Sequence, residues 1–290
     1  MGTLILIYSI LRTEEKEIVK LSLQRDIKVI CLNADELVMC SDLSDQYSKD
    51  SIVWVRTPSY EKACMISNYF ERSGFKVVNS YRQLHLFGQK ILTDLWLKEN
   101  SLKSIPSLIS YSSTVLEKSL ERLGEFPLII KPNIGGFGNL VHLVENKNEI
   151  KQIASYLSLY APVNQQVLYV QKKLDIQHDL RVILLNGQAI CYMERLNENS
   201  HVKNIDKGGN GKAFVPDQAI EKCISRLGNL LKEGVFGVDL IVDKEQEIYV
   251  CEINAVCRFQ EAVRFSQVNI YEMIVEELFV KNLDGIYNEI

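Results

Sequence analysis

What most limits the fold of this chain is a regular apolar pattern that runs to about residue 80. Up to that point short apolar runs alternate with helical stretches. TLILIYSI precedes EEKEIVKLSLQR, KVICLN and SIVWVRTP precede YEKACMISNYFERSG, and KVVNS closes the series. Strands separated by helices of ten or more residues pair in parallel, so this region predicts a doubly wound α/β unit. No G-x-G-x-x-G follows the first strand, which removes the dinucleotide fingerprint.

Helical stretches follow, and after Pro127 the pattern changes to hairpins. A helical stretch is expected over 81–102, ended by Pro106, then a serine-rich turn and a helix over 114–123. LIIKP and LVHLVE flank the glycine-rich IGGFGN, the pattern of a hairpin with a flexible tip. A helix over 148–160, the strand VLYVQKKL and a hairpin turning at Asn186-Gly187 follow. After a polar loop to Gly211 come a helix over 217–232, the hairpin VFGVDLIVDKEQEIYVCEIN and a closing helix near 270–279. No long linker, repeat or low-complexity tract separates these parts, so packed subdomains are expected.

At 290 residues and 47% hydrophobic content the chain can bury sizeable cores. Its charges are mixed, with a formal net charge of −4, which gives no reason to expect nucleic acid or a membrane surface as partner. The N-terminal apolar run is short and has no basic flank, so it reads as a strand rather than a signal peptide or span. Ile5 and Leu6 stand where a myristoylation motif wants Ser or Thr. Seven cysteines without a C-x-x-C pair and four scattered histidines disfavour zinc and disulfides and fit a reduced cytoplasm.

The chemistry concentrates in the last hairpin. In EIYVCEIN strict alternation puts Ile248, Val250, Glu252 and Asn254 on one face. Asp239 interrupts an apolar run on the partner strand, and an even loop at 244–247 would set it opposite Glu252. Two close carboxylates repel unless one is protonated or a cation lies between them. With an amide oxygen beside them the donors are hard and suit Mg²⁺ better than zinc or copper. The same pattern also fits the exposed polar face of an edge hairpin. Lys90 and Lys131, at a helix start and a strand end, either meet an anion or extend to solvent. Gly135, Gly136, Phe137 and Gly138 lack P-loop spacing but allow backbone amides to approach a phosphate. His178 and Asp179 are strand neighbours and point apart, so Asp179 with Arg181 is read as the functional face and His178 as a bystander.

Taken in order, Lys90, Lys131, the glycine loop, a Val-Gln-x-x-Leu strand and Asp239…Glu252-x-Asn254 resemble the ATP-grasp superfamily. The nearest branch comprises ligases that add glutamate to ribosomal protein S6 and ligases acting on amino-group carrier proteins in lysine and arginine biosynthesis. The resemblance runs through RTEEK, VRTP, VVNS, GQKILTD, PLIIKP, IGGFGN, YVQKKL, HDLRV, NxxxGG and CEIN. It implies a three-part fold of mixed α/β and α+β class. An N-terminal parallel α/β unit would span 1–88, a linker helix and central lid 89–168, and a C-terminal antiparallel-sheet domain 169–290.

The roles the resemblance implies are these. Lys90 and Lys131 contact nucleotide phosphates, and Gly135, Gly136, Phe137 and Gly138 close over them. Gln171, Lys172 and Leu174 lie along adenine, and Asp175 holds the ribose. Asp239, Glu252 and Asn254 hold Mg²⁺, two ions with Mn²⁺ as a substitute. Arg181, Arg195 and Asn204 lie near the acyl phosphate and substrate carboxylates. The implied reaction joins a carboxylate to an amine through an acyl phosphate, releasing ADP and phosphate. The acceptor is an amino acid, a peptide or a carrier protein, and a homo-dimer or tetramer is expected. The alternative is a nucleotide-binding regulatory or scaffold module without turnover.

Two stretches depart from the pattern. Gln171-Lys172-Lys173 stands where relatives have Gln-Glu-aromatic, and Arg258-Phe259-Gln260-Glu261 replaces a Glu-Phe-Lys-Asn type segment. The second reverses charge in a segment that, in those relatives, helps choose the amino substrate. It implies a different substrate pair, with Arg258 and Arg264 holding an anionic group, or else a surface Arg258–Glu261 ion pair.

Overall fold

The computed structural model describes residues 2–135, 140–160, 166–196 and 210–281. Strands β1 (Thr3–Tyr8), β2 (Lys28–Asn33), β3 (Ile52–Arg56) and β4 (Lys76–Val78) form a parallel sheet in the order β2-β1-β3-β4. Helix α1 (Thr13–Leu23) covers one face, packing Ile18 and Leu21 on Leu4, Leu6 and Trp54. Helix α2 (Tyr60–Arg72) covers the other, packing Ala63, Ile66 and Phe70 on Ile5, Ile7 and Val53. Burial on both faces explains the unbroken apolar runs of β1 and β3.

The expected helix over 81–102 is two helices, α3 (Tyr81–Phe87) and α4 (Lys90–Glu99). The break has a steric and a hydrogen-bonding cause. A Cβ on Gly88 would lie 2.3 Å from Tyr60 Cδ2, so the chain passes against that ring where no side chain fits. The Lys90 and Ile91 amides then donate to the main-chain and side-chain oxygens of Asn133, each at 3.0 Å, instead of to a preceding turn.

A second, antiparallel sheet follows in the order β5-β8-β6-β7, from β5 (Ser107–Ser110), β6 (Leu128–Lys131), β7 (His142–Val144) and β8 (Leu168–Lys172). The serine-rich stretch read as a turn is therefore strand β5. The helix expected over 114–123 stops early, as α5 (Ser113–Glu117) followed by a 3-10 turn at Leu120–Leu123. These and α6 (Lys147–Tyr160) bury Leu116, Leu120, Leu123 and Ile150 against Leu128, Ile130 and Val170.

The third sheet is antiparallel, in the order β11-β10-β9-β12-β13. Its strands are β9 (Ile176–Leu185), β10 (Gln188–Leu196), β11 (Asn210–Ala213), β12 (Val235–Asp243) and β13 (Ile248–Asn254). At the β9–β10 turn Asn186 and Gly187 both have positive φ, 47° and 80°, which is why Asn-Gly is suited to it. Helix α7 (Gln218–Leu230) and Leu97 of α4 cover the back of this sheet. Helices α8 (Gln260–Phe265) and α9 (Ile270–Val275), the latter extended by a π-helical turn, join it to the first sheet through Phe259, Ile274 and Phe279.

Asp239 does pair with Glu252, but not through the expected even loop and strict alternation. Near the turn the register is one residue off, with Val242 opposite Ile248 and Leu240 opposite Val250. A bulge at Cys251 restores it. Ile248, Val250 and Ile253 therefore pack behind the sheet, and Glu252 and Asn254 share the open face with Cys251 instead.

The base of this hairpin is clamped from the first unit. The Asn79 amide donates to Val235 O (2.7 Å) and Ala255 O (2.9 Å) and accepts from Val235 N (2.9 Å). Gly234, with φ 107°, leaves room for it, since a Cβ there would sit 2.1 Å from Asn79 Oδ1. Asn79→Ala strands three backbone groups, the two of Val235 being buried. Denaturant unfolding should show a loss of at least about 2 kcal/mol. A loss below about 0.5 kcal/mol would mean the clamp contributes nothing.

Candidate active site

One cleft of ≈ 760 Å³ opens where the three sheets meet. Its floor is the open face of the third sheet. Register sets Asp239 beside Arg181 on β9 and beside Glu252 on β13, while alternation adds Asp179, Arg195 and Asn254 to the same face. Arg181 Nε lies 2.6 Å from Asp239 Oδ1, and Arg195 Nη2 lies 2.5 Å from Asp179 Oδ1 and 3.4 Å from Asp239 Oδ1. Arg181 crosses β12 above Gly237, where a Cβ would meet its Nη1 at 2.4 Å.

The second sheet and α4 supply the facing cations. Lys90, the first residue of α4, has Nζ 3.5 Å from Glu252 Oε1 and donates at 2.9 Å to Gly135 O. Lys131 ends β6 with its Nζ 5.4 Å from the centroid of the Tyr169 ring. That ring is held by its hydroxyl, which donates to Asp94 at 2.5 Å, and Ser107 donates to the same carboxylate oxygen at 2.6 Å. Gln171 Nε2 donates to Tyr169 Oη at 3.3 Å.

The two paired carboxylates respond differently to this surrounding. Burial pushes Asp239 up, and Arg181 and Arg195 offset only part of it, so its carboxyl stays above the usual range. Burial also opposes charge on Glu252, but Lys90, Lys131 and the two arginines overcome it and hold that carboxyl below the usual range. Burial would lower Arg195, yet Asp239 and Asp179 outweigh it and keep the guanidinium charged.

Asp239 is only 5% exposed, which removes the alternative of an exposed polar edge for that strand. Two facing carboxylates with an amide beside them form an oxygen donor set that fits a hard divalent cation. Among the described residues no group of three or more His, Cys, Asp or Glu side chains is placed as a metal site, and the Asn254 amide lines the cleft with the two carboxylates.

Of the residues singled out from sequence, Lys90, Lys131, Gly135, Gln171, Lys172, Leu174, Asp175, Arg181, Arg195, Asp239, Glu252, Asn254 and Arg258 all line this cleft. Arg264 does not. It is exposed on α8, about 200° round the helix from Ala262, which faces the cleft. Gly136, Phe137, Gly138 and Asn204 lie outside the described residues. His178 sits on the back of the sheet, 2.7 Å from Glu194 and against Phe214, as a bystander would. Sequence reading missed the Asp94–Tyr169 support of Lys131 and the need for Gly237. The spacing of Lys90 and Asp94, one helical turn apart, was the available signal for the former.

The region 89–278 matches the family model described as the RimK-like ATP-grasp domain. The glutamate–LysW ligase ArgX of Sulfolobus acidocaldarius is 26% identical over 280 residues, covering 96% of this chain and 97% of that protein. The alpha-aminoadipate–LysW ligase LysX of Saccharolobus solfataricus is 21% identical, covering 92% and 97%. Among solved structures, a RimK domain ATP-grasp protein from Sphaerobacter thermophilus superposes with TM-score 0.76 at 15% identity, covering 94% and 98%. D-alanyl-alanine synthetase A from Vibrio cholerae gives 0.74 at 15%, covering 98% of each chain. The chain belongs to the RimK-like ATP-grasp family. Its fold is the three-part ATP-grasp fold, and its class is that of the ATP-dependent carboxylate–amine ligases.

Removing one partner from this charge network should be costly. Arg181→Met leaves Asp239 buried with Arg195 alone, and unfolding should show a loss of about 3 kcal/mol. Adding Asp239→Asn should recover part of that loss. If the double variant is less stable than the single by the full cost of Asp239→Asn alone, the two residues are not coupled.

Proposed function

We propose that this chain activates a carboxylate with ATP and passes it to the amine of an amino acid, a peptide or a carrier protein. The observation that carries this reading is the facing of Lys90 and Lys131 with Asp239, Glu252 and Asn254 across one cleft. Adenine fits the apolar end, where Leu174 and Cys251 pack with Ile105, Ile241 and Tyr249. Gln171 and Lys172 lie beside that end, and Asp175 is within reach of a ribose. Bound by Asp239, Glu252 and Asn254, Mg²⁺ would supply neutralisation of phosphate charge. Two ions, with Mn²⁺ as a substitute, suit a family of this chemistry.

A carboxylate is a poor electrophile. Transfer of the γ-phosphoryl group makes it an acyl phosphate, and attack by the amine expels phosphate. Phosphoryl transfer asks the protein for positioning and charge compensation more than for covalent chemistry. Lys90 and Lys131 provide the positive charge. Arg181 and Arg195, fixed by Asp239 and Asp179, hold guanidinium groups where charge develops on the acyl oxygens, and preorganised donors need no rearrangement at that moment. Asn204 and the amides of Gly136–Gly138 would complete this cover.

The division into units at 1–88, 89–168 and 169–290, cytoplasmic residence and a homo-dimer or tetramer belong to the same reading. No helix among the described residues is long and apolar enough to cross a membrane. The named relatives act on LysW with aminoadipate or glutamate. The reversed charge at Arg258 favours a different substrate pair here, with Arg258 rather than Arg264 gripping an anionic group. All described members of the metal set are present together with both lysines, which favours turnover over a binding-only module.

Incubation with ATP, Mg²⁺ and pools of acids, amines and acidic peptides should give phosphate release matched by a condensed product mass. Asp239→Asn and Glu252→Gln should each lower it at least about 100-fold. Nucleotide binding without turnover in every pool would favour the regulatory module instead. Arg258→Glu should shift which substrates are used, and an unchanged preference would remove that residue from recognition.

A further inference from the structure

Glu14, Glu15 and Arg56, from the motifs RTEEK and VRTP, do not line the cleft, yet they are among the most deeply buried charges of the described residues. Arg56 is 4% exposed, and Glu14 and Glu15 are 1% exposed each. Arg56 Nη2 donates to Glu14 Oε2 and its Nε to Glu15 Oε1, both at 3.0 Å. The guanidinium lies 5.1 Å from the ring centroids of both Trp54 and Phe259.

The remaining bonding capacity of this triad is directed at one segment of the third unit. Arg56 Nη1 donates to Cys257 O at 2.8 Å. Glu14 Oε1 accepts from Phe259 N at 2.5 Å and from Gln260 N at 2.6 Å. Three main-chain groups between 257 and 260 are thus held by side chains of the first unit. Charge-assisted bonds of this kind are roughly twice as strong as neutral ones.

That segment forms one wall at a defined end of the cleft. Along β13, Cys251 belongs to the apolar group proposed for adenine, Glu252 and Asn254 follow, and Arg258 lies four residues further on. At about 3.3 Å per residue the strand alone carries the cleft about 10 Å from Cys251 to Asn254. Thr57–Tyr60, the residues directly after Arg56, also line the cleft. One buried arginine therefore precedes one wall and is bonded to the other.

We infer that Glu14 and Arg56 are positioning residues for the second, non-nucleotide substrate, fixing Cys257–Gln260 so that Arg258 and Glu261 stand at a set distance from Thr57–Tyr60. This rests on the reading of the cleft as a ligase site. Neither residue lines the cleft, so they act only through the wall they hold.

Glu15 provides a matched control. Glu14 uses one oxygen for Arg56 and the other for the segment, and Glu15 uses one for Arg56 and the other for Arg12 N at 3.0 Å. A glutamine has a single acceptor oxygen, so either substitution sacrifices one set of bonds. Only Glu14→Gln touches residues 257–260 directly. Hydrogen exchange of the full chain without ligand should show the 257–260 amides opening roughly ten-fold faster or more in Glu14→Gln, and near the wild-type rate in Glu15→Gln.

Calorimetry should find MgADP affinity within about two-fold of wild type in both variants. With the substrates found in the pools, Glu14→Gln should raise the non-nucleotide substrate KM roughly ten-fold and leave the ATP KM unchanged. Unchanged exchange at 257–260 in Glu14→Gln would overturn the inference. So would equal effects of the two variants on exchange or on KM, or a loss of MgADP affinity as large as the KM change. If wild-type protein turns over nothing, the ligase reading falls, and the exchange rates alone decide whether the brace exists.

Discussion

Asp239 and Glu252 face each other across a buried strand ladder, and this juxtaposition governs the remainder of the molecule. Two like charges about 4 Å apart at an effective dielectric of about 20 repel by about 4 kcal/mol. A typical net hydrogen bond contributes about 1 kcal/mol and cannot offset that. The chain answers with cations from separate elements: Arg181 from β9, Arg195 from β10, Lys90 from α4 and Lys131 from β6. The distribution is unequal. Arg181 and Arg195 contact Asp239, whereas Glu252 has Lys90 nearest and draws further on Lys131, so α4 and the second sheet must both lie against the third for Glu252 to be fully compensated.

That requirement gives the connecting elements their purpose. The break at Gly88 turns α4 so that its first residue, Lys90, points into the cleft while its amide binds Asn133 at the start of the glycine loop. Asp94, one turn later, steadies the ring beneath Lys131 through the Tyr169 hydroxyl. Asn79 holds both flanks of the carboxylate hairpin, and the Glu14–Arg56 pair holds the segment that follows it. The first unit has no glycine-rich phosphate loop, and its Asn79, Glu14 and Arg56 brace this hairpin and the segment after it.

Much of this architecture was legible in the sequence because it rests on periodicity. Apolar runs with intervening helices gave the parallel sheet, and Asn186-Gly187 gave the central hairpin, since two successive positive φ angles favour those residues. The facing of Asp239 and Glu252 was also legible, although by a route that two compensating features happened to share. A register offset at the turn and a bulge at Cys251 cancel, and neither leaves a mark on alternation. Other elements stayed hidden for physical reasons. Glu14 and Glu15 look like ordinary acidic residues in a first helical turn, where the helix dipole favours them. Their burial depends on Arg56 and on a segment more than 200 residues away. Arg264 resembled a partner for Arg258, but helical geometry turns it outward. Strand β5 is short and serine-rich, and its pairing with β8 is a tertiary fact that no local propensity announces.

The central claim is that Asp239, Glu252 and Asn254 hold a divalent cation against nucleotide phosphates presented by Lys90 and Lys131. Crystals grown with Mn²⁺ and a non-hydrolysable ATP analogue would test it through the anomalous signal of the metal. A peak is expected within bonding distance of Asp239, Glu252 and Asn254, with Lys90 and Lys131 meeting the phosphate oxygens. A nucleotide seated elsewhere, or metal bound to the phosphates with no contact to these three side chains, would contradict it.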